Sequence, residues 1–389
     1  MNAYSSEAEL DRAGDQVEPT IPVLRPRLPS AERLLPYLRR IDATRVYTTW
    51  GPLALELEER LCRRFSLPPG GVVSASSGTS ALTAAILTAA GRAAGGRRLA
   101  IVPALTFVAT AAAAESCGYT VRIADVDPET WQLDPERVAA RADLDEAAIV
   151  LPVAPFGRPV PQAAWLEFRE RTGIPVVIDG AATFEAASGQ PERILGELPV
   201  AMSFHATKAF ATGEGGCVAS TETGVVDQIG RALNFGFSGS RDSATPSLNG
   251  KLSEYHAAVG LAQLEEWNAK QEATARVLDL YRESFDRLGL ADRLVCGPEV
   301  ASLYVLFRAT TQHEANDVAA SLAEDGISHR LWYGEGLQRH TQYAGCSSDP
   351  LPVTEELAPR LLGLPFAVDL DQQAVERIGA AVAHGLRRR

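Results

Sequence analysis

A lysine becomes chemically useful when its surroundings strip water from the amine. Lys208 lies in AMSFHATKAFATGEGGCVAS, directly after an apolar run and before the small-residue stretch Thr212-Gly213-Glu214-Gly215-Gly216. Phe204, Ala206, Ala209 and Phe210 are placed to bury its stem, and the glycines let the backbone approach a ligand closely. Most lysines are solvated surface charges. One held in this way can attack a carbonyl and form a Schiff base. Asp179 ends the apolar run IPVVID. An aspartate there often does no more than form a turn or cap a helix, but the carboxyl end of a parallel strand is where ligands bind. Ser77-Gly78-Thr79 opens a helix, where unpaired amides and the helix dipole attract an anion. An ordinary Ser or Thr N-cap has the same sequence signature. Phe107, in PALTFVAT just after another apolar run, is either core or a ring free to stack on a planar ligand.

These residues can share one pocket only if the fold gathers several strand ends. The pattern predicts that. Pro52 to Phe65 carries Leu53, Leu57, Leu61 and Phe65 at four-residue spacing, an amphipathic helix. SSGTSALTAAILTAAG predicts a helix from about Thr79 to Gly91, and TFVATAAAAESCG a helix ending at Gly118. RLAIVP, TVRIADVD, AAIVLPVAPFG, IPVVID, AMSFHATK and GGCVAST read as strands, with PQAAWLEFRERTG a helix among them. Such alternation predicts an α/β fold, a mainly parallel sheet between helices. After about Leu252 the texture changes to one long helix, SEYHAAVGLAQLEEWNAKQEATARVLDLYRESFDRLG. Strand SLYVLFRA, helix EANDVAASLAEDG and a closing helix then predict a smaller α+β unit. The expected organisation is a polar, disordered stretch over 1–20, a large ligand-binding domain over 21–255 and a small C-terminal domain over 256–389.

Composition narrows the function. The chain has 389 residues, 46% hydrophobic and 22% charged, which excludes a mainly disordered protein. Lys+Arg 37 against Asp+Glu 49 gives a net charge of −12, a poor match for sequence-independent nucleic-acid binding. No apolar run reaches the length of a membrane span, and the acidic start lacks the features of a secretory signal. Cys62, Cys117, Cys217, Cys296 and Cys346 are odd in number and widely spaced, so they read as small buried hydrophobes in a reducing compartment. The histidines show no zinc-site spacing. A cytoplasmic enzyme is the expectation.

A nucleophilic lysine, a carboxylate for a ring nitrogen, an anion cradle and a stacking ring are together what pyridoxal 5'-phosphate requires of a protein. At this point the sequence resembles the DegT/DnrJ/EryC1/StrS group of fold-type I pyridoxal-phosphate enzymes, most of them sugar aminotransferases. The resemblance runs from about Ile21 to the C-terminus. It rests on YTTWGPLALELEERL, SSGTSAL, VPALTFVATAAA, ADVDPETWQLDPE, VVIDGAA, SFHATKAFATGEGG, LNGKLSEYHAAVGLAQLE and LPVTEELAPRLLGLPF, in the family's order. It implies a seven-stranded, mainly parallel sheet in the large domain. It further implies that Lys208 is the lysine bonded to the cofactor and that Asp179 partners the pyridinium nitrogen. Gly78, Thr79 and Ser203 would hold the phosphate, with Asn249 reaching it from the neighbouring subunit of a homodimer.

The implied reaction moves an amino group from glutamate or glutamine to a keto-sugar, expected to be a dTDP- or UDP-linked deoxysugar. Lys251 and Arg241 are candidates for its diphosphate, though either could be a plain surface charge. Two departures bear on this. The family commonly carries Gln or His three residues after the aspartate, where this chain has Ala182. WYGEGLQRH lacks the Pro-Leu-His order of many sugar aminotransferases. A cyclitol aminotransferase, or elimination or carbon–carbon chemistry on the same cofactor, are the nearest alternatives. A non-catalytic ligand-binding regulator is the other, disfavoured by an intact Lys208 and the lack of any appended basic or helix-turn-helix segment. Members with His at the lysine position dehydrate sugars, and Lys208 speaks against that.

Overall fold

Short apolar runs make strands that must be covered on both faces. In the computed structural model, which describes residues 21–298 and 300–388, they are. The first sheet segment orders as β1 (Val72–Ala75), β7 (Gly216–Ala219), β6 (Val200–Ser203) and β5 (Ile178–Asp179). A second orders as β3 (Thr120–Ala124), β2 (Leu99–Pro103) and β4 (Ala147–Val150). Parallel bridges Val150–Val176 and Val153–Asp179 join β4 to the β5 run, making one sheet of order β1-β7-β6-β5-β4-β2-β3. Pairing is parallel except at β7, which runs antiparallel to both β1 and β6. The α/β expectation holds.

Regular pairing in the IPVVID run shrinks to Ile178–Asp179. Prolines serve as acceptors in the run and beside it: Val150 N–H reaches Pro175 O of the run, while Ile178 N–H reaches Pro199 O and Asp179 N–H reaches Pro152 O. Proline supplies no donor in return, so the ladder thins on this side while Asp179 stays pinned.

Small residues set the sheet's coverings. Helices Gly78–Ala90 and Ala109–Ser116 pack through Ala84, Ala85, Ala111 and Ala114 into one core with Val102 and Val218. On the other face Leu57, Phe65, Trp165, Phe168 and Phe204 form a core with the helices Pro52–Arg64 and Gln162–Thr172. A separate core gathers Tyr281, Phe285, Phe307, Val318 and Val382 around the antiparallel sheet β10-β9-β8, built from β8 (Leu294–Val295), β9 (Val305–Arg308) and β10 (Leu361–Leu364).

Two sequence expectations need correction, and one helix was not foreseen. The single long helix is two, Glu254–Glu265 and Trp267–Arg287, broken at Glu266. The first half buries Ala257, Ala258 and Leu261 in the core with Phe204, and the second buries Val277, Tyr281 and Phe285 in the core with Phe307. A straight rod could not serve both. Helix Ala31–Thr44 is absent from the sequence reading because Pro36, normally a helix breaker, lies inside it. Cys62, Cys117 and Cys217 are buried as expected, but Cys296 and Cys346 are only half-buried, and all five are free thiols. The expectation for 1–20 lies outside the described residues.

Candidate active site

Asp179 sits at the carboxyl end of β5, 7% exposed. Thr110 Oγ1 donates to its Oδ2 at 2.7 Å, and the Ala181 amide donates to Oδ1 at 3.1 Å. Thr110 is steadied by Thr106, hydroxyl to hydroxyl at 2.7 Å. Burial pushes the Asp179 carboxyl up, while Thr110, the Ala181 amide and the nearby Lys208 charge pull it down. A cationic N–H brought against it would tip it to the ionised form.

Lys208 follows β6 in a tight loop. Its amide donates to His205 O at 2.8 Å, and Ala206 N–H reaches Gly213 O at 2.7 Å. The His205 ring closes the turn from the side, with Nδ1 2.8 Å from Thr207 Oγ1. Thus the small-residue stretch serves as the other wall of the lysine loop. The Lys208 amine points at Tyr304, Nζ to the phenol oxygen at 3.3 Å.

The helix opening at Gly78 forms the third side. Ser77 caps it by accepting from Ser80 N–H at 3.0 Å, and the amides of Gly78 and Thr79 have no acceptor within the helix. Ser203, at the end of β6, lies against Gly78. A Cβ on Gly78 would stand 2.7 Å from Ser203 Cβ and 3.0 Å from its Cα. Only glycine lets the helix mouth and the strand end converge this closely. Two amides, the Ser203 hydroxyl and the helix dipole fit a phosphate.

Phe107 is 60% exposed, which rules out the core alternative and leaves its ring open to a ligand. Ala182 is buried with Phe156 and Tyr304, and offers only a methyl. Asn249 is exposed and its Oδ1 accepts from Lys251 Nζ at 2.6 Å, while that ammonium also lies 4.4 Å from the Phe235 ring centre. Arg241 is fully on the surface, the plainer of its two readings.

The sequence reading does not single out Thr110, Tyr304, Tyr333 or Glu185. Tyr304 meets Phe156 edge-on and Tyr333 meets it tilted, ring centres 5.3 and 4.5 Å away, and both wall the site from the core with Phe307. Burial holds the Tyr333 phenol far above its usual range. Thr110 carried a faint signal, a hydroxyl one helical turn from Thr106 beside a buried carboxylate that needed donors. The others come from distant sequence.

The model of the DegT/DnrJ/EryC1/StrS aminotransferase family matches residues 30–383. The chain is 33% identical to Protein Rv3402c of Mycobacterium tuberculosis, with 97% of this chain and 93% of that protein covered. It is 27% identical to the dTDP-4-amino-4,6-dideoxy-D-glucose transaminase of Shigella dysenteriae, covering 94% and 99%. Among solved structures, DesI in the presence of its TDP-sugar product superposes with a TM-score of 0.83 at 28% identity, covering 98% of this chain and 97% of that one.

Proposed function

The chain belongs to the DegT/DnrJ/EryC1/StrS aminotransferase family, and from that membership we propose a pyridoxal-phosphate-dependent transfer of an amino group from glutamate or glutamine to a nucleotide-linked keto-sugar. One observation carries the reading: Lys208, buried Asp179 and the Gly78–Ser203 anion cradle converge on the carboxyl ends of β5 and β6. The sugar-nucleotide acceptor is supported by the relatives that act on such compounds.

The residues present fit the cofactor at each of its ends. Gly78 and Thr79 amides with Ser203 would hold the phosphate, Phe107 would cover a ring face and Asp179 would take the ring N–H. When bound, pyridoxal phosphate supplies an electron sink for the carbon that loses its proton. The chain's residues do the rest. Lys208 would be the nucleophile that ties the cofactor, and its freed Nζ would take the proton from the donor's α-carbon. The same Nζ would deliver a proton to the acceptor carbon that receives the nitrogen. Asp179, fixed by Thr110 and Ala181, would present its carboxylate to the ring nitrogen through both halves. Ping-pong kinetics follow, because the donor leaves before the acceptor binds.

The working unit in this reading is a homodimer. Val46, Tyr47, Leu55 and Tyr255 are exposed apolar side chains, and the rings of Tyr47 and Tyr255 stack at 6.3 Å. Asn249 is open for a partner's phosphate, with Lys251 beside it as the better diphosphate candidate. A cytoplasmic setting suits such substrates, and among the described residues no helix is long and apolar enough to cross a membrane.

The test is the visible spectrum of protein purified with pyridoxal phosphate. A band at about 420 nm is expected from the lysine-bound cofactor, lost in Lys208→Ala. Glutamate or glutamine should bleach it. A band that neither donor changes would sink routine transamination, and no band in the wild type would sink the cofactor assignment.

A further inference from the structure

Three residues after Asp179 this chain brings the Ala182 methyl, buried among Phe156 and Tyr304. The polar group at this end of the site arrives from elsewhere. Tyr304 immediately precedes β9, in the core that holds Phe307, and its phenol oxygen is 3.3 Å from Lys208 Nζ.

Considerable structure is devoted to keeping it there. The Ala301 amide donates to Phe156 O at 2.7 Å. Ser302 gives its N–H and its hydroxyl to the two carboxylate oxygens of Glu185, at 2.7 and 2.6 Å. The Tyr304 amide then turns back onto Ala301 O at 2.9 Å. Gly157, at φ +85°, makes the close approach possible, since a Cβ there would lie 2.8 Å from Ala301 Cβ and 2.7 Å from Ala182 O. Phe156 itself is in the left-handed region at φ 53°, which costs of order 1 kcal/mol for a non-glycine residue. In that conformation its N–H meets the Tyr333 phenol at 2.9 Å and its carbonyl meets Ala301. Strain is therefore located where the Tyr304 segment docks on the β5 end of the sheet.

We infer that Tyr304 is the positioning residue for the Lys208 amine, its phenol oxygen accepting an N–H and aiming Nζ, and that Glu185 through Ser302 fixes the phenol. The inference rests on Lys208 being the cofactor lysine. Lys208 has a specific need for such a guide: its amine must leave the cofactor, carry a proton and be recaptured without drifting. Other titratable groups around this chain of contacts are Asp179 beside Lys208, Tyr333 across Phe156 and Lys270 beside Glu185.

Tyr304→Phe tests this, because it keeps the ring packing and removes only the hydroxyl. Three readouts are needed. In cofactor-free protein, the rate at which an amine-reactive reagent labels Lys208, followed by peptide mass, should rise by about threefold or more as the amine loses its tether. In protein loaded with pyridoxal phosphate, the pH midpoint of the visible band should move by about 0.5 unit or more. In turnover, kcat should fall by about tenfold to a hundredfold with the donor KM changed by less than about threefold. Unchanged labelling, an unmoved midpoint and kcat within about twofold of wild type would overturn the assignment. A wild type without a visible band would instead fail the cofactor reading, and the labelling experiment would still judge Tyr304. If Tyr304→Phe does not fold, Glu185→Met substitutes: removing both acceptors of the Ser302 N–H and hydroxyl releases the clamp and should raise Lys208 labelling in the same direction, and unaltered labelling would count against the inference.

Discussion

The two ends of the site are built in different ways. At the end proposed to hold the phosphate, Ser77 to Thr79 and Ser203 all come from the large sheet and its covering helix, and their close approach depends on the absence of a side chain at Gly78. At the lysine end, Asp179 ends a strand of that same sheet and Lys208 sits in the loop after β6, but the group that meets the amine, Tyr304, comes from the core around β9. Local backbone makes an anion cradle rigid at little cost, since helix amides already point outward. Control of a mobile amine needs a group from outside the loop that carries it. One end can thus be perturbed without the other, and variants should separate them.

The largest expected effect lies at the lysine end. Asp179→Asn removes the charge and keeps the shape: its Oδ1 can accept from the Ala181 amide, while its Nδ2 donates to Thr110 Oγ1, a hydroxyl that can reverse its role. Turnover should fall by about a hundredfold to a thousandfold, because no carboxylate then faces the ring nitrogen. Burial already disfavours the charged form of Asp179, so the cofactor-free variant should melt at or above the wild-type temperature. A loss of stability as large as the loss of rate would show Asp179 to be structural.

Gly78→Ala attacks the other end. The new Cβ would press on Ser203 Cβ and Cα at 2.7 and 3.0 Å, and backbone there must shift. Cofactor affinity should weaken by about tenfold to a hundredfold, a loss of 1.4–2.7 kcal/mol. At saturating cofactor kcat should recover to within a few fold. Measured by fluorescence titration, an unchanged affinity would mean that the phosphate sits elsewhere.

This contrast also explains what could be read in the sequence. Asp179, Lys208, Gly78 and Phe107 stand at ends of apolar runs whose period announces strands and helices, so chain position alone indicates the pocket. Thr110 was not singled out, since a turn-spacing to Thr106 carries meaning only once Asp179 is seen beside it. Nor was Tyr304, for its reach to Lys208 depends on Phe156 adopting a positive φ and on Glu185 gripping Ser302, far away in sequence. The break at Glu266 was hidden for a similar reason. Helical periodicity runs straight through it, and only the presence of two cores demands a change of direction.

The smallest expected effect is a pH-dependent one beside the clamp. Lys270 lies on the helix Trp267–Arg287, with its Nζ 3.1 Å from Gln263 Oε1 and the carboxylates of Glu185 and Glu266 near it. Burial dominates and pulls its amine down from 10.5 to about 8. In the unfolded chain the amine keeps its ordinary value. Below pH about 8 both states hold the proton and Lys270 adds no slope. Between about 8 and 10.5 the unfolded chain binds a proton that the folded chain has released, so stability from this group rises with pH. Lys270→Met removes the titration while keeping a flexible apolar stem. Melting curves of the two proteins from pH 7.5 to 10 should therefore shift relative to each other, the wild type gaining by about 2–4 °C. A gap that stays constant across that range would mean that Glu185 and Glu266 neutralise the cost of burying the ammonium, and the clamp would then be a three-charge unit rather than a carboxylate held by Ser302 alone.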